Sequence, residues 1–251
     1  MFRTEKVLVL RETRFRESDR ILTVLTAEAG KKTLAAHGAL SKKSRIAAAT
    51  QQLTYSELTL FEKGGRLSVR EGVVLEGFPG LRTELERFAL GCYIAECLEL
   101  FSTEDQPEPE LMQLGLNCLY ALSEGLADCR KVKAAFELRL MAEEGYAPMD
   151  AVCRKCGSRQ IPLPVFLTED GSFLCGSCAR DFYGLQMTDL SLAALRHILH
   201  APARRILAFR IPEEDMRILA RAAERWLLHC AERKLPTLDY YNMLRTEQNY
   251  G

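Results

Sequence analysis

The sequence predicts an α+β chain of several domains. It reads as a small N-terminal β-barrel and a C-terminal α-helical domain with a four-cysteine insert. Three observations carry this. Short runs rich in β-formers fill the first 76 residues, the residues after Phe78-Pro79-Gly80 repeat with a helical period, and two Cys-x-x-Cys pairs interrupt the helices. The expected boundaries are 1–79 for the barrel, 80–148 with 188–251 for the helices, and 149–187 for the insert.

Five strands are expected, at Val7–Thr13, Ile21–Thr26, Lys32–His37, Leu53–Phe61 and Leu67–Leu75. In the last, Leu67, Val69, Val73 and Leu75 alternate with polar neighbours. Lys63-Gly64-Gly65 between the last two runs is a hairpin signal. Five short strands in about 70 residues suit a small closed barrel, and OB-like and SH3-like barrels fit the count almost equally. Helices are expected at Leu85–Phe101, Leu111–Leu122, Val132–Glu144, Leu190–His200 and Glu213–Arg233. Pro212 and the acids Glu213, Glu214 and Asp215 mark the start of the last.

The chain has 251 residues and no net charge, but the charge is unevenly placed. Residues 1–70 hold 14 Lys/Arg and 7 Asp/Glu, a net of +7, and the rest carries −7. A basic end on an acidic body points to a polyanionic partner. No apolar run is long enough to cross a membrane as a helix, and Val7–Leu10 is too short for a signal core. An intracellular protein is therefore expected, and its nine cysteines read as metal ligands and core residues rather than disulfides.

Cys153-Arg-Lys-Cys156 and Cys175-Gly-Ser-Cys178 stand 18 residues apart. Two residues between cysteines let both thiolates face one ion, and two such pairs complete a tetrahedral shell suited to one Zn²⁺. Four thiolates leave no open position, so the zinc is expected to be structural. The segment shows little apolar core of its own, so metal is expected to supply most of its folding energy, on the order of 10 kcal/mol. Cys92, Cys97, Cys118, Cys129 and Cys230 read as small core residues. The four histidines read as surface or boundary residues.

The segment from Gly38 to Arg45 packs Lys42, Lys43 and Arg45 with Ser41 and Ser44 into a flexible stretch. That mix suits contacts to a phosphate backbone. Arg14, Arg16, Arg20, Lys31 and Lys32 extend the expected DNA-binding patch. Tyr55 and Phe61 read as core rings and Phe15 as the exposed one, so binding is expected to rest on phosphates rather than base stacking. The phosphate-loop, HExxH and GxSxG motifs are absent, and no catalytic residue is expected.

Several stretches resemble the RecO family of bacterial recombination and repair mediators. These are Arg16-Glu17-Ser18-Asp19-Arg20 continuing to Thr26, then Gly30, then Gly38 with Ser41–Arg45. Further on, Phe136-Glu137-Leu138-Arg139-Leu140-Met141 leads through Gly145-Tyr146-Ala147-Pro148 to Cys153–Gly157; the second cysteine pair and residues 213–244 also fit. After Gln51-Gln52-Leu53 the chain has Thr54-Tyr55, where the family more often has Pro-Phe. The resemblance implies an N-terminal OB-fold and a zinc module. It also implies binding of single- and double-stranded DNA and annealing of complementary strands without ATP. It further implies help in loading RecA onto DNA coated by single-stranded DNA-binding protein (SSB). The implied partners are RecR and the acidic, apolar C-terminal tail of SSB, in the bacterial cytoplasm. Such a tail needs an apolar groove edged by cations, for which Lys131, Lys133 and Arg139 are the candidates. Two rival readings are a zinc-ribbon adaptor whose barrel binds protein, and a zinc-dependent nuclease or hydrolase, against which the closed four-thiolate shell argues.

Overall fold

The structure is a computed structural model and describes residues 1–248. The chain divides into two compact units, one from Met1–Leu126 with the segment from Leu235 onward, the other Ala127–Lys234.

The first unit opens with five strands: β1 (Phe2–Phe15), β2 (Asp19–Thr26), β3 (Gly30–Ala36), β4 (Tyr55–Lys63) and β5 (Arg66–Glu76). They close into a barrel in the order β1-β2-β3-β5-β4. All pairs are antiparallel except β3 with β5, where Leu34 faces Leu67. This order, with one parallel closing pair, is that of an OB-fold rather than an SH3-like barrel. Inward residues fill the barrel, among them Val7, Val9, Leu22, Val24, Leu34, Leu58, Leu60 and Val69. The β3–β4 connection adds Ala39, Ile46 and Ala49 to the same core.

The opposite rows of β1 face helices α1 (Leu85–Phe101) and α2 (Pro109–Ser123). Close approach requires two glycines. A Cβ on Gly91 would stand 2.9 Å from a Leu53 methyl, and one on Gly115 would stand 2.6 Å from a Leu98 methyl and 3.5 Å from one of Leu8. Helix α6 (Pro236–Gln248) packs on α1, and Glu96 of α1 accepts the Thr237 backbone N–H at 3.1 Å. Helix α6 lies where the sequence predicts no helix. Glu232 ends the preceding helix in the left-handed region at φ 51, and Pro236 starts the next.

The second unit holds α3 (Cys129–Glu143), α4 (Asp189–His200) and α5 (Glu213–Ala231). Between α3 and α4 lies a four-stranded sheet of β6 (Met149–Cys153), β7 (Val165–Leu167), β8 (Ser172–Leu174) and β9 (Leu185–Gln186), in the order β6-β8-β7-β9. This sheet gives the insert more apolar core than the little expected of it. Phe166 and Phe173 are fully buried with ring centroids 4.9 Å apart, and Trp226 of α5 meets Phe166 edge-on at 6.0 Å. Rings at these separations attract one another beyond the area they bury. Cys97 and Cys118 are fully buried as expected, while Cys92, Cys129 and Cys230 are half-buried. Among the described residues no helix is long and apolar enough to cross a membrane.

Candidate nucleic-acid interface and metal centre

The β1–β2 hairpin turns at Arg16, whose φ of 56 places it in the left-handed region. Phe15 is 45% exposed, and the Arg16 guanidinium lies 5.2 Å from its ring centroid. The loop after β3 is fastened to this hairpin. Asp19 accepts the Gly38 backbone N–H at 2.8 Å and pairs with His37 Nδ1 at 2.8 Å. Ser18 O accepts the Leu40 N–H at 2.8 Å. The Gly38 N–H and the His37 ring hold the Asp19 carboxyl below the usual carboxylate range. Further on, tight turns and the inserted Ala39, Ile46 and Ala49 hold the loop. The basic segment is therefore anchored, in contrast to the flexible stretch expected.

Of the eight cations foreseen for DNA, five are exposed: Arg14, Arg16, Lys42, Lys43 and Arg45. None of these five has an ion-pair partner among the described residues. The other three are used internally. Arg20 bonds Glu12 at 3.2 Å and the carbonyls of Ala47 and Thr50 at 3.3 Å. Lys31 donates to the Glu99 carbonyl at 2.9 Å, and Lys32 binds the Glu5 carboxylate at 2.9 Å. Glu5, Thr50 and Glu99 are remote in sequence from the cations they bind, so local composition cannot reveal these contacts. The hairpin between β4 and β5 adds Lys63, Arg66 and Arg70, which are exposed and were not foreseen. Arg70 lies 4.9 Å from the Phe61 ring centroid. Phe61 and Tyr55 are half-buried rather than core.

In the second unit, the Cys153, Cys156, Cys175 and Cys178 sulfurs all lie within 4.8 Å of one another and could hold a metal ion. Each pair closes a tight turn. The Gly157 N–H reaches the Cys153 carbonyl at 2.8 Å and the Cys178 N–H reaches the Cys175 carbonyl at 2.9 Å. Gly157 takes φ 71, which a side chain would resist. The Cys175 N–H points at the Cys153 sulfur at 3.4 Å. Burial raises the Cys153 thiol pKa, but backbone N–H groups of Cys156, Cys175 and Lys155 outweigh it and bring it down to about 6. Such N–H groups favour the thiolate, the form that ligates metal.

Comparison with known proteins adds the family. Residues 1–78 match the family model "Recombination protein O N terminal", and residues 82–239 match "Recombination protein O C terminal". The chain belongs to the RecO family. A DNA repair protein RecO of Acetivibrio thermocellus is 32% identical over 238 residues, covering 94% of this chain and 95% of that one. The same-named protein of Desulforudis audaxviator is 32% identical over 241 residues, covering 95% of each. That of Heliobacterium modesticaldum is 33% identical over 220 residues, covering 84% of this chain and 79% of its own.

In this RecO-family chain the three cations foreseen for a partner peptide lie on α3, and all are engaged. Lys133 is 3% exposed and binds Glu137 at 2.6 Å and Glu224 at 2.7 Å. Burial works against its ammonium, but the two carboxylates outweigh it and raise its pKa. It has no accessible charge to offer a peptide, because those carboxylates neutralise it inside the α3–α5 packing. Lys131 donates to the Phe209 carbonyl at 2.6 Å and sits 4.5 Å from that residue's ring centroid. Arg139 binds Glu143 at 2.6 Å and the carbonyls of Leu199 and Ala201 at 3.0 Å. The latter two carbonyls lie at the C-terminal end of α4, where a cation complements the helix dipole.

Proposed function

We propose that this chain is a recombinational DNA-repair mediator that binds and performs no covalent chemistry. In this reading it holds single- and double-stranded DNA and anneals complementary strands without ATP. With RecR it helps load RecA onto SSB-coated single strands in the bacterial cytoplasm. The observation that carries the reading is the set of five exposed cations without ion-pair partners, on the β1–β2 hairpin and on the β3–β4 loop that Asp19 and Ser18 fasten to it, on the OB-fold of a RecO-family chain. Cations that meet phosphates leave base edges open, and pairing with a second strand needs those edges. If about five phosphates of a single strand are neutralised, affinity falls with salt on a log-log slope near −3.5.

Residues 149–187 form the metal module in this proposal, with one structural Zn²⁺ held by the four cysteines. The donor set fits. Zinc–sulfur bonds of about 2.3 Å put tetrahedral sulfurs about 3.8 Å apart, and Cys156 and Cys175 already stand at 4.0 Å. A closed shell of this kind supports fold and not hydrolysis. For the SSB tail, Lys131 and Arg139 keep some accessible surface while Lys133 keeps almost none.

The test is annealing of complementary strands, each coated with the cognate SSB, in the absence of ATP. Duplex formation accelerated by the protein supports the reading. A protein inert toward DNA that captures a protein partner would support the adaptor reading instead.

A further inference from the structure

The cysteine module presents a face that its own core does not need. Phe166 and Phe173 already fill the inside, yet Tyr183 is 100% exposed, Leu163 70% and Phe182 45%. These side chains gather around the two cysteine turns. Lys155, between Cys153 and Cys156, holds its ammonium 5.6 Å from the Phe182 ring centroid, and Phe182 follows the second pair. Leu163 joins through the Gly176 N–H, which bonds the Pro162 carbonyl at 3.0 Å. A Cβ on Gly176 would lie 3.0 Å from that of Leu163. Leu163 itself is held at φ 49 between two prolines, a strained setting for a residue with a side chain. Arg159 and Arg180 are exposed on the same turns, and neither they nor Lys155 has a carboxylate partner among the described residues.

We propose that this face is a second contact for single-stranded nucleic acid. Phe182 and Tyr183 stack bases, and Lys155, Arg159 and Arg180 meet phosphates. Exposed rings beside cations are the combination that holds single strands without regard to sequence, because every base has a face to stack. An acidic, apolar peptide would use the cations as well, but such a peptide seats its apolar side chains in a groove, and Tyr183, wholly exposed, lines none. The inference rests on the reading of the barrel as a DNA-binding unit and extends it. The barrel loops grip phosphates and expose few rings, while the module supplies stacking. One chain then has a contact for each of two strands, and annealing consists of bringing two strands together.

The experiment titrates the full, metal-loaded chain with a short oligothymidylate and measures stoichiometry and affinity. The wild-type chain binds two equivalents. Phe182→Ala with Tyr183→Ser keeps one equivalent and weakens the other at least about tenfold, because the bases lose the rings they stack on. Tyr183→Ser alone, at a side chain with no packing to lose, weakens it in the same direction. Unchanged metal content and thermal midpoint in both variants certify the fold. A single equivalent in the wild type, with ring variants that bind and anneal as it does, overturns this inference and leaves the barrel reading standing. A chain that binds no oligonucleotide overturns both. Ring variants that lose an acidic, apolar peptide while keeping both oligonucleotides overturn the nucleic-acid assignment.

Discussion

Asp19, at the start of β2, accepts the backbone N–H of Gly38 at 2.8 Å, and that bond fixes where the basic loop leaves the barrel. The same carboxylate holds His37, so one buried acid joins the hairpin and the loop that carry the exposed cations. Asp19→Ala is expected to lower single-strand affinity several-fold and to flatten its salt dependence, although Asp19 itself repels phosphate. Titration at two salt concentrations checks this, and an affinity that rises on losing the negative charge contradicts it.

The Asp19 bonds also predict a pH dependence of stability. Its folded-state pKa lies below the ordinary carboxylate value because the Gly38 N–H, and then His37, favour the anion. The stabilisation is fully present above about pH 4 and is lost as pH falls through the depressed folded-state value. Chemical denaturation of the wild type and Asp19→Asn over acid pH is therefore expected to show two curves that converge as the solution becomes more acidic.

Phe166 joins the module sheet to α5 through Phe173 and Trp226. Truncating a fully buried ring costs about 3–5 kcal/mol, because lost burial and a cavity add. Phe166→Ala is expected to lower the unfolding midpoint of residues 127–234 in denaturant. Hydrogen exchange shows whether barrel amides of residues 1–76 keep their protection, as expected.

Metal removal acts on the same module. The buried rings mean that the module does not depend on the ion alone, so chelation is expected to loosen the cysteine turns before the sheet. Faster exchange at residues 153–160 and 175–180, with protection kept at Phe166 and Phe173, is the expected pattern. Complete loss of protection across 149–187 contradicts it.

Much of this architecture is legible in the chain. Strand β4 alternates because one of its faces is buried, and the cysteine pairs declare their geometry by spacing alone, but Val7–Leu10 of β1 is buried on both faces and Val73 and Leu75 of β5 stay exposed. Barrel type is less legible: the parallel pairing of Leu34 with Leu67 depends on contacts remote in sequence. For the site, net charge locates the basic end but cannot say which cations are spent internally. Lys32 looks like Lys42 until Glu5 is brought beside it by the β1–β2–β3 register. Helix α6 escapes notice because its apolar stripe is short, only Leu235, Leu238 and Tyr241 among polar residues, and its partner surface on α1 is over a hundred residues away. The module core is hidden because β7 and β8 are three residues each, too short for any period to show.

Whether the anchored loop holds DNA is tested most directly by one titration. Single-strand affinity is measured at two salt concentrations for the wild type and for Lys42→Ala, Lys43→Ala, Arg45→Ala combined. Removing three of five cations is expected to flatten the log-log salt slope from about −3.5 to about −1.4. A fourfold rise in salt then costs about sevenfold in affinity instead of about a hundredfold. A variant with wild-type affinity and wild-type slope contradicts the account.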